Sequence, residues 1–263
     1  MRTDADLYRR GMATLLASWD EYARPAAGAS LRRLPGVAVG VFPKEPERGV
    51  YNNAVLERGL AAAARARAVD AMEAAYAAAG IDTFAAWVDE TDAAATDDLE
   101  RRGYTLSETT RAMGMELDAI ALPRPEADIR RSDWTEYLEV DELPPGLLAG
   151  VDPDAFHVAV GRLDGERVAV GIALDQDGDC GIFNLGTKAR ARRRGMGTAV
   201  TAALVHDARD RGCETASLQS TPMAERVYTA VGFRDLGRIL EYTPPANRWA
   251  NNAGEGVSPT PST

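Results

Sequence analysis

Residues 181–206 read Gly181-Ile-Phe-Asn-Leu-Gly-Thr-Lys-Ala-Arg-Ala-Arg-Arg-Arg-Gly-Met-Gly197-Thr198-Ala-Val-Thr-Ala-Ala-Leu-Val-His206, and the fold is decided here. The apolar start predicts a buried strand, Lys188 to Arg194 a basic loop, and Gly195 with Gly197 the opening of a helix. Glycines let a backbone come close to a ligand, and the first turn of a helix leaves its N–H groups without helical partners. Such a start binds phosphate through main-chain donors. Arg192, Arg193 and Arg194 add fixed positive charge beside it. At Gly195 and Gly197 a Cβ is expected to hold phosphate away from the amides.

The spacing Arg192-x-x-Gly195-x-Gly197 is neither a P-loop, which needs a Gly-Lys-Ser/Thr end, nor the three-glycine dinucleotide fingerprint. Working outward, Thr215-Ala-Ser-Leu-Gln-Ser220 alternates like a strand, and Ala224-x-x-x-Tyr228-x-x-x-Gly232-Phe233 follows it. Strand, basic glycine loop, helix, strand and this ending together resemble the GCN5-related N-acetyltransferases (GNAT) over roughly Ile129 to Tyr242. The resemblance implies an α/β fold with a mixed central sheet flanked by helices.

The rest of the chain fits a soluble protein. It has 263 residues, 45% hydrophobic and 27% charged, with a net charge of −10. No apolar run reaches the length of a membrane span, and the acidic N-terminal segment lacks a signal-peptide core. The negative balance speaks against nucleic acid as a partner. Two histidines, His157 and His206, stand far apart without cysteine neighbours, so no metal site is expected. Cys180 and Cys213 read as small core residues of a protein from a reducing cytoplasm.

Taken in order, Ala5–Tyr22 predicts an amphipathic helix and Gly36–Phe42 a strand. A second strand is expected near Val50–Asn53, then a long helix over Leu56–Ala79 with Leu60, Ala64, Ala68, Met72 and Tyr76 on one face. Thr83–Val88 is read as a strand, 93–102 as a short helix and Arg111–Leu117 as a strand. Residues 119–127, with Pro123 and Pro125, form the junction. Beyond it come a strand at Asp128–Arg130, a helix at Trp134–Val140, a turn at Leu143–Gly146 with a short helix after it, and a hairpin turning at Asp164-Gly165. The stretch from 244 on is rich in Pro, Gly, Asn, Ser and Thr and is expected to be flexible.

The halves repeat. Gly80-Ile-Asp-Thr83 matches Gly212-Cys-Glu-Thr215, and Gly103-Tyr104 matches Gly232-Phe233. The first copy has Asn52–Leu60 where the second has the basic glycine loop, and Leu99 where the second has Tyr228. The expected organisation is a tandem acyl-CoA N-acyltransferase fold: a degenerate GNAT-like domain at 1–120, a linker at 121–127, an acetyltransferase domain at 128–243 and a tail at 244–263.

The resemblance also implies acetyl-CoA as co-substrate, with its pyrophosphate on Arg192, Arg193, Arg194, Gly195, Met196, Gly197 and Thr198. The backbone of Leu185, Gly186 and Thr187 would pair with the pantetheine arm like an added strand. Tyr228 is the candidate acid: a phenol with pKa near 10 stays protonated at neutral pH and can donate to a departing thiolate. For a base, the central strands offer His157, Asp175 and Asp179. Nine acids against two bases between Asp141 and Asp179 fit a cationic small-molecule amine as acceptor. The expected activity is N-acetyl transfer to a primary amine by direct attack in a ternary complex. A non-catalytic acyl-CoA sensor and a protein-lysine acetyltransferase are the alternatives, and oligomeric state is left open.

Overall fold

A computed structural model describes residues 2–44, 52–144, 146 and 148–246. In chain order the elements are α1 (Asp4–Ala23), β1 (Ser30–Leu34), β2 (Val37–Val41), β3 (Asn53–Leu56), α2 (Ala62–Ala79), β4 (Ala85–Asp89), α3 (Ala93–Arg101) and β5 (Thr105–Glu116). There follow β6 (Ile129–Ser132), α4 (Trp134–Val140), β7 (His157–Leu163), β8 (Glu166–Gln176), β9 (Asp179–Thr187), α5 (Met196–Asp210), β10 (Thr215–Ser220), α6 (Glu225–Val231) and β11 (Arg234–Thr243).

The chain forms two compact units, and they do not follow the sequential halves. One unit, here the C-terminal unit, joins the residues up to Ala27 to Thr109–Ile239; the other, the N-terminal unit, joins Gly28–Glu108 to the residues from Leu240 on. Helix α1, expected with the first half, therefore packs in the C-terminal unit. The reason is a close approach: a Cβ on Gly11 would stand 2.7 Å from Ser217 Cβ, so only glycine lets the helix press onto β10. Thr14 Oγ1 donates to Asp179 Oδ2 at 2.8 Å, and Arg10 Nε donates to Thr215 Oγ1 at 3.0 Å. The closing strands are exchanged as well. Residues 111–116 of β5 pair antiparallel with β10, while Tyr242 of β11 is buried in the N-terminal core with Phe84 and Leu99.

Within the N-terminal unit the strands run β1-β2-β3-β4, with β11 next to β4. The long helix begins at Ala62 rather than Leu56: Leu56 ends β3, and Gly59 at φ +72° turns the chain before the helix. Val50 and Tyr51 lie outside the described residues, and β3 itself starts at Asn53. Ala68, Met72 and Tyr76 of the expected stripe are buried, and Gly80 caps the helix at φ +68°.

The C-terminal unit has the order β11-β5-β10-β9-β8-β7-β6. Its hairpin turns at Asp164 and Gly165, whose φ values of +53° and +84° suit a tight turn. Helix α5 covers one sheet face, where a Cβ on Gly161 would come within 2.7 Å of Met196 Cε and one on Gly171 within 3.0 Å of Leu204 Cδ1. The opposite face, with Val158, Val160, Val170 and Ile172, is buried against Tyr137, Leu138 and Phe156. No helix follows the Leu143 turn among the described residues, which are turns and bends from Leu148 to Ala155. The junction is held rather than free: Ala121 N–H donates to Val231 C=O at 2.9 Å, and His206 Nε2 lies 2.9 Å from the Leu122 carbonyl. Most of the segment from 244 on, expected to be flexible, lies outside the described residues.

Candidate active site

The site begins with a fault in the sheet. Strand β8 pairs with β9 at Ala169↔Thr187 and Val170↔Gly186, then at Ile172↔Phe183, so β9 carries an extra residue in between. Asn184, at φ +49°, sits in that bulge, a conformation asparagine tolerates better than most residues. On its other side β9 pairs in parallel with β10 only at Asp179, Cys180 and Gly181. Beyond Gly181 the two strands have no paired residues, and β9 presents an open edge as far as Thr187. Sequence reading marked Leu185, Gly186 and Thr187 but not the bulge that opens the edge; the signal available was the polar Asn184 inside an apolar run.

The basic loop follows directly. Arg193 has φ +61° and Gly195, the N-cap of α5, has φ +81°. Nothing lies within 4 Å of a Cβ built on Gly195, so the demand for glycine there is conformational, not steric. At Gly197 an added Cβ would meet only Thr187 Oγ1, at 3.6 Å. The first bond of α5 runs from Ala199 N–H to Gly195 C=O at 2.9 Å. The amides of Met196, Gly197 and Thr198 come before it, and among the described residues they have no acceptor. Arg192 Nε donates to the Thr187 carbonyl at 3.1 Å and ties the loop to the end of β9.

These elements border a cavity of about 730 Å³. Leu185, Gly186, Thr187, Arg192, Arg193, Gly195, Met196, Gly197, Thr198 and Tyr228 all line it. Of the expected residues Arg194 does not; its Nη2 lies 4.0 Å from Asp164 Oδ2, at an exposed ion pair. Arg190 likewise reaches Glu166, at 2.8 Å. The Met196 side chain is buried under Gly161, so this residue offers the cavity its backbone.

Tyr228 projects from the short helix α6 and is 7% exposed. Its ring meets Phe233 edge-on at 6.1 Å, which explains why Tyr228 and Gly232-Phe233 occur together. Burial pushes its phenol up to about 12. The hydroxyl has no hydrogen-bond partner among the described residues.

None of the three candidate bases lines this cavity. Asp175 accepts two hydrogen bonds from Arg211, at 2.6 and 2.8 Å, and lies 3.3 Å from His157 Nε2. Against the upward push of burial, Arg211 and His157 hold its carboxyl well below the usual range. Asp179 is buried and accepts from Thr14, Thr215 and Ser217 at 2.6–2.8 Å, the work of a structural hub. The carboxylates that do border the cavity are Asp141 and Glu142, at the end of α4. Sequence counted them among nine acids and had no means to separate them. Among the described residues no group of three His, Cys, Asp or Glu side chains could hold a metal ion.

A mixed sheet with helices on its faces and a split pair of parallel strands is the acyl-CoA N-acyltransferase fold. Residues 122–233 match the Acetyltransferase (GNAT) family. No curated protein is similar in sequence. The chain is similar in structure to a GCN5-related N-acetyltransferase from Kribbella flavida, at TM-score 0.69 and 18% identity, over 93% of this chain and 98% of that one. It also resembles a GCN5-related N-acetyltransferase from Sphaerobacter thermophilus, at TM-score 0.56 and 18% identity, over 92% and 93% of the two chains. A protein of unknown function from Staphylococcus epidermidis matches at TM-score 0.61 and 12% identity, over 82% and 93%.

Proposed function

We propose that this protein is an N-acetyltransferase that moves an acetyl group from acetyl-CoA to a primary amine on a small molecule, in the cavity of the C-terminal unit. The observation that carries the reading is the open edge of β9 beside three unbonded amides at the start of α5. An extended amide-bearing chain ending in phosphates needs both. The amides of Met196, Gly197 and Thr198 would take the pyrophosphate, with Arg192 and Arg193 supplying charge. The backbone of Leu185, Gly186 and Thr187 would bond the pantetheine arm in place of the missing β10 partner.

Bound in this way, the co-substrate supplies an activated thioester. The amine nitrogen attacks the carbonyl carbon, the C–N bond forms, and the C–S bond breaks with its electron pair going to sulfur. An alkyl ammonium must first lose a proton, at a cost of about 4 kcal/mol for the roughly three units between its pKa and neutrality. Holding amine and thioester together offsets much of the barrier. Tyr228 keeps its proton throughout the neutral range and donates a hydrogen bond to the departing sulfur. Complete transfer from a phenol near 12 to a thiolate of ordinary basicity is uphill by about 5 kcal/mol, at roughly 1.4 kcal/mol per unit. The donated bond, made in a dry cavity, is therefore its main contribution, and the proton follows as the amine nitrogen gives one up. Two unpaired buried cysteines suit a reducing compartment such as the cytoplasm.

Thiol release from acetyl-CoA with a panel of amines tests the reading. Turnover with at least one amine, falling about a hundredfold in Tyr228→Phe while acetyl-CoA affinity is kept, is the expected result. Tight CoA binding with no turnover on any amine points to a sensor, and acetyl-lysine appearing on proteins points to a protein acetyltransferase.

A further inference from the structure

We infer that the Asp141 carboxylate is the anchor for the acceptor: it receives the ammonium group of a cationic small molecule and holds the nitrogen over Gly186, at the mouth of the split between β9 and β10. The inference rests on the acetyltransferase reading above and names the acceptor class for the same cavity.

The two faces of the sheet supply the geometry. The Cβ direction of Gly171 points to Leu204 and Val200 of α5, whereas that of Gly186 points to Asp141 and to Val170 Cγ1 at 3.5 Å. Asp141 thus approaches β9 from the α4 side, and α5 with its free amides stands on the other. The cavity is lined by both. It reaches from one face to the other where β9 and β10 part, so donor and acceptor can enter from opposite sides and meet at the edge of β9.

Asp141 is placed by its helix. It caps the C-terminus of α4, with its N–H on the Tyr137 carbonyl at 3.0 Å. A side chain on Gly186 would collide with its carboxylate, so this glycine is what admits the acid to the strand. The group is half-buried and has no cationic partner among the described residues, unlike Asp175 on Arg211 or Glu136 on Arg162 and Arg167. The groups that face it are the Tyr137 hydroxyl, 3.5 Å from Oδ2, and Glu142. Burial, partly offset by the Tyr137 hydroxyl and reinforced by Glu142, raises its carboxyl above the ordinary value. A half-buried carboxylate without a counter-ion costs stability in the free protein, and a ligand ammonium is the partner that relieves it.

The proton balance closes on the same group. Asp141 accepts one proton from the bound ammonium, and the neutral amine attacks. The second nitrogen proton leaves as the C–N bond forms and replaces the one that Tyr228 passes to sulfur. The net products are the amide, free thiol and one proton released from Asp141 to water.

The test compares wild type with Asp141→Asn and Asp141→Glu, using benzylamine, 1,4-diaminobutane and glucosamine as ammonium probes and hydroxylamine as a probe already neutral at neutral pH. For the ammonium probe turned over best, Asp141→Asn is expected to lower kcat/KM at least tenfold. Acetyl-CoA affinity by calorimetry should be unchanged, and Asp141→Glu should recover part of the loss. The preference for that probe over hydroxylamine should fall with it. The folded carboxyl is raised, so the native state binds the extra proton and stability declines as pH rises through its pKa. Asp141→Asn should therefore melt no lower than wild type at pH 7, which a merely structural role would not give. Equal kcat/KM in wild type and Asp141→Asn, or equal losses for ammonium and neutral probes, would overturn the anchor. Calorimetry of the same amines with CoA-loaded protein separates the two readings. Amine binding that depends on Asp141 without any turnover keeps the anchor and breaks the transferase; no Asp141-dependent binding or turnover by any probe breaks the anchor.

Discussion

The β3–β4 pair of the N-terminal unit and the β9–β10 pair of the C-terminal unit stand at the same place in the same order of elements: two antiparallel strands, a third, a long helix, a parallel strand, a short helix and a closing strand. Strand β3 pairs with β4 at three of its four residues, Asn53, Ala54 and Val55, and with β2 without a register shift. Strand β9 pairs with β10 at three of its nine, and a bulge breaks its register with β8. The helix that follows starts from Ala61 at φ −59° in the first case and from Gly195 at φ +81° in the second. One layout thus yields a closed strand pair with an ordinary helix start, or an open edge with a bare amide cradle. The difference lies in one extra residue on β9 and one left-handed glycine, and it is the difference between a packed unit and a site.

The largest effect that would sharpen this contrast comes from the matched pair Tyr228 and Leu99. Tyr228→Phe should lower kcat by about a hundredfold at unchanged melting temperature. Leu99 is fully buried, so Leu99→Ala should cost about 2–5 kcal/mol of stability while leaving the acetyl-CoA affinity of the folded protein intact. Urea unfolding and calorimetry read both, and equal catalytic losses would erase the distinction between the units. Next, Gly195→Val forces a β-branched residue into the left-handed region at about 1–2 kcal/mol. Acetyl-CoA affinity should weaken by roughly tenfold, at about 1.4 kcal/mol per tenfold, whereas Ala61→Val should change it little.

Acid should act on the C-terminal unit through Asp175. Its carboxyl is depressed in the folded state by Arg211 and His157. The stability it contributes is complete above the unfolded value near 3.9 and is lost as pH falls below that toward the depressed folded value. Asp175→Asn should therefore be less stable than wild type at pH 7 and approach it at pH 3, as followed by urea titration; a constant gap between the two would contradict the pairing. The smallest effect is expected at Arg194, which points to Asp164 rather than into the cavity. Arg194→Ala should change acetyl-CoA affinity by less than about twofold, the usual worth of an exposed pair. Arg192→Ala should weaken it more, and more strongly at low salt.

Much of this was legible in sequence because it is local. The Asp164-Gly165 turn, the Gly80 cap and the helix at Trp134–Val140 depend on neighbours within a few residues, and they stand where the residues put them. The start of α2 misled because Leu56 and Leu60 continue an apolar spacing that Gly59 interrupts. The base candidates misled for another reason. His157, Asp175 and Asp179 lie on the central strands, but their partners Arg211, Thr14 and Ser217 are dozens of residues away and consume them.

By itself the sequence determined the α/β class, the loop from Arg192 to Thr198 and the Tyr228 to Phe233 ending, since each is written in contiguous residues with fixed spacing. Tertiary structure alone decided the exchange of closing strands and the placement of α1 on β10, because Gly11, Ser217 and Asp179 meet only after the chain has folded back. It alone decided the opening of β9, which needs the register of three strands at once. It also placed Asp141 and Glu142, out of nine acids, at the border of the cavity, for a carboxylate acquires its surroundings only once the chain has folded.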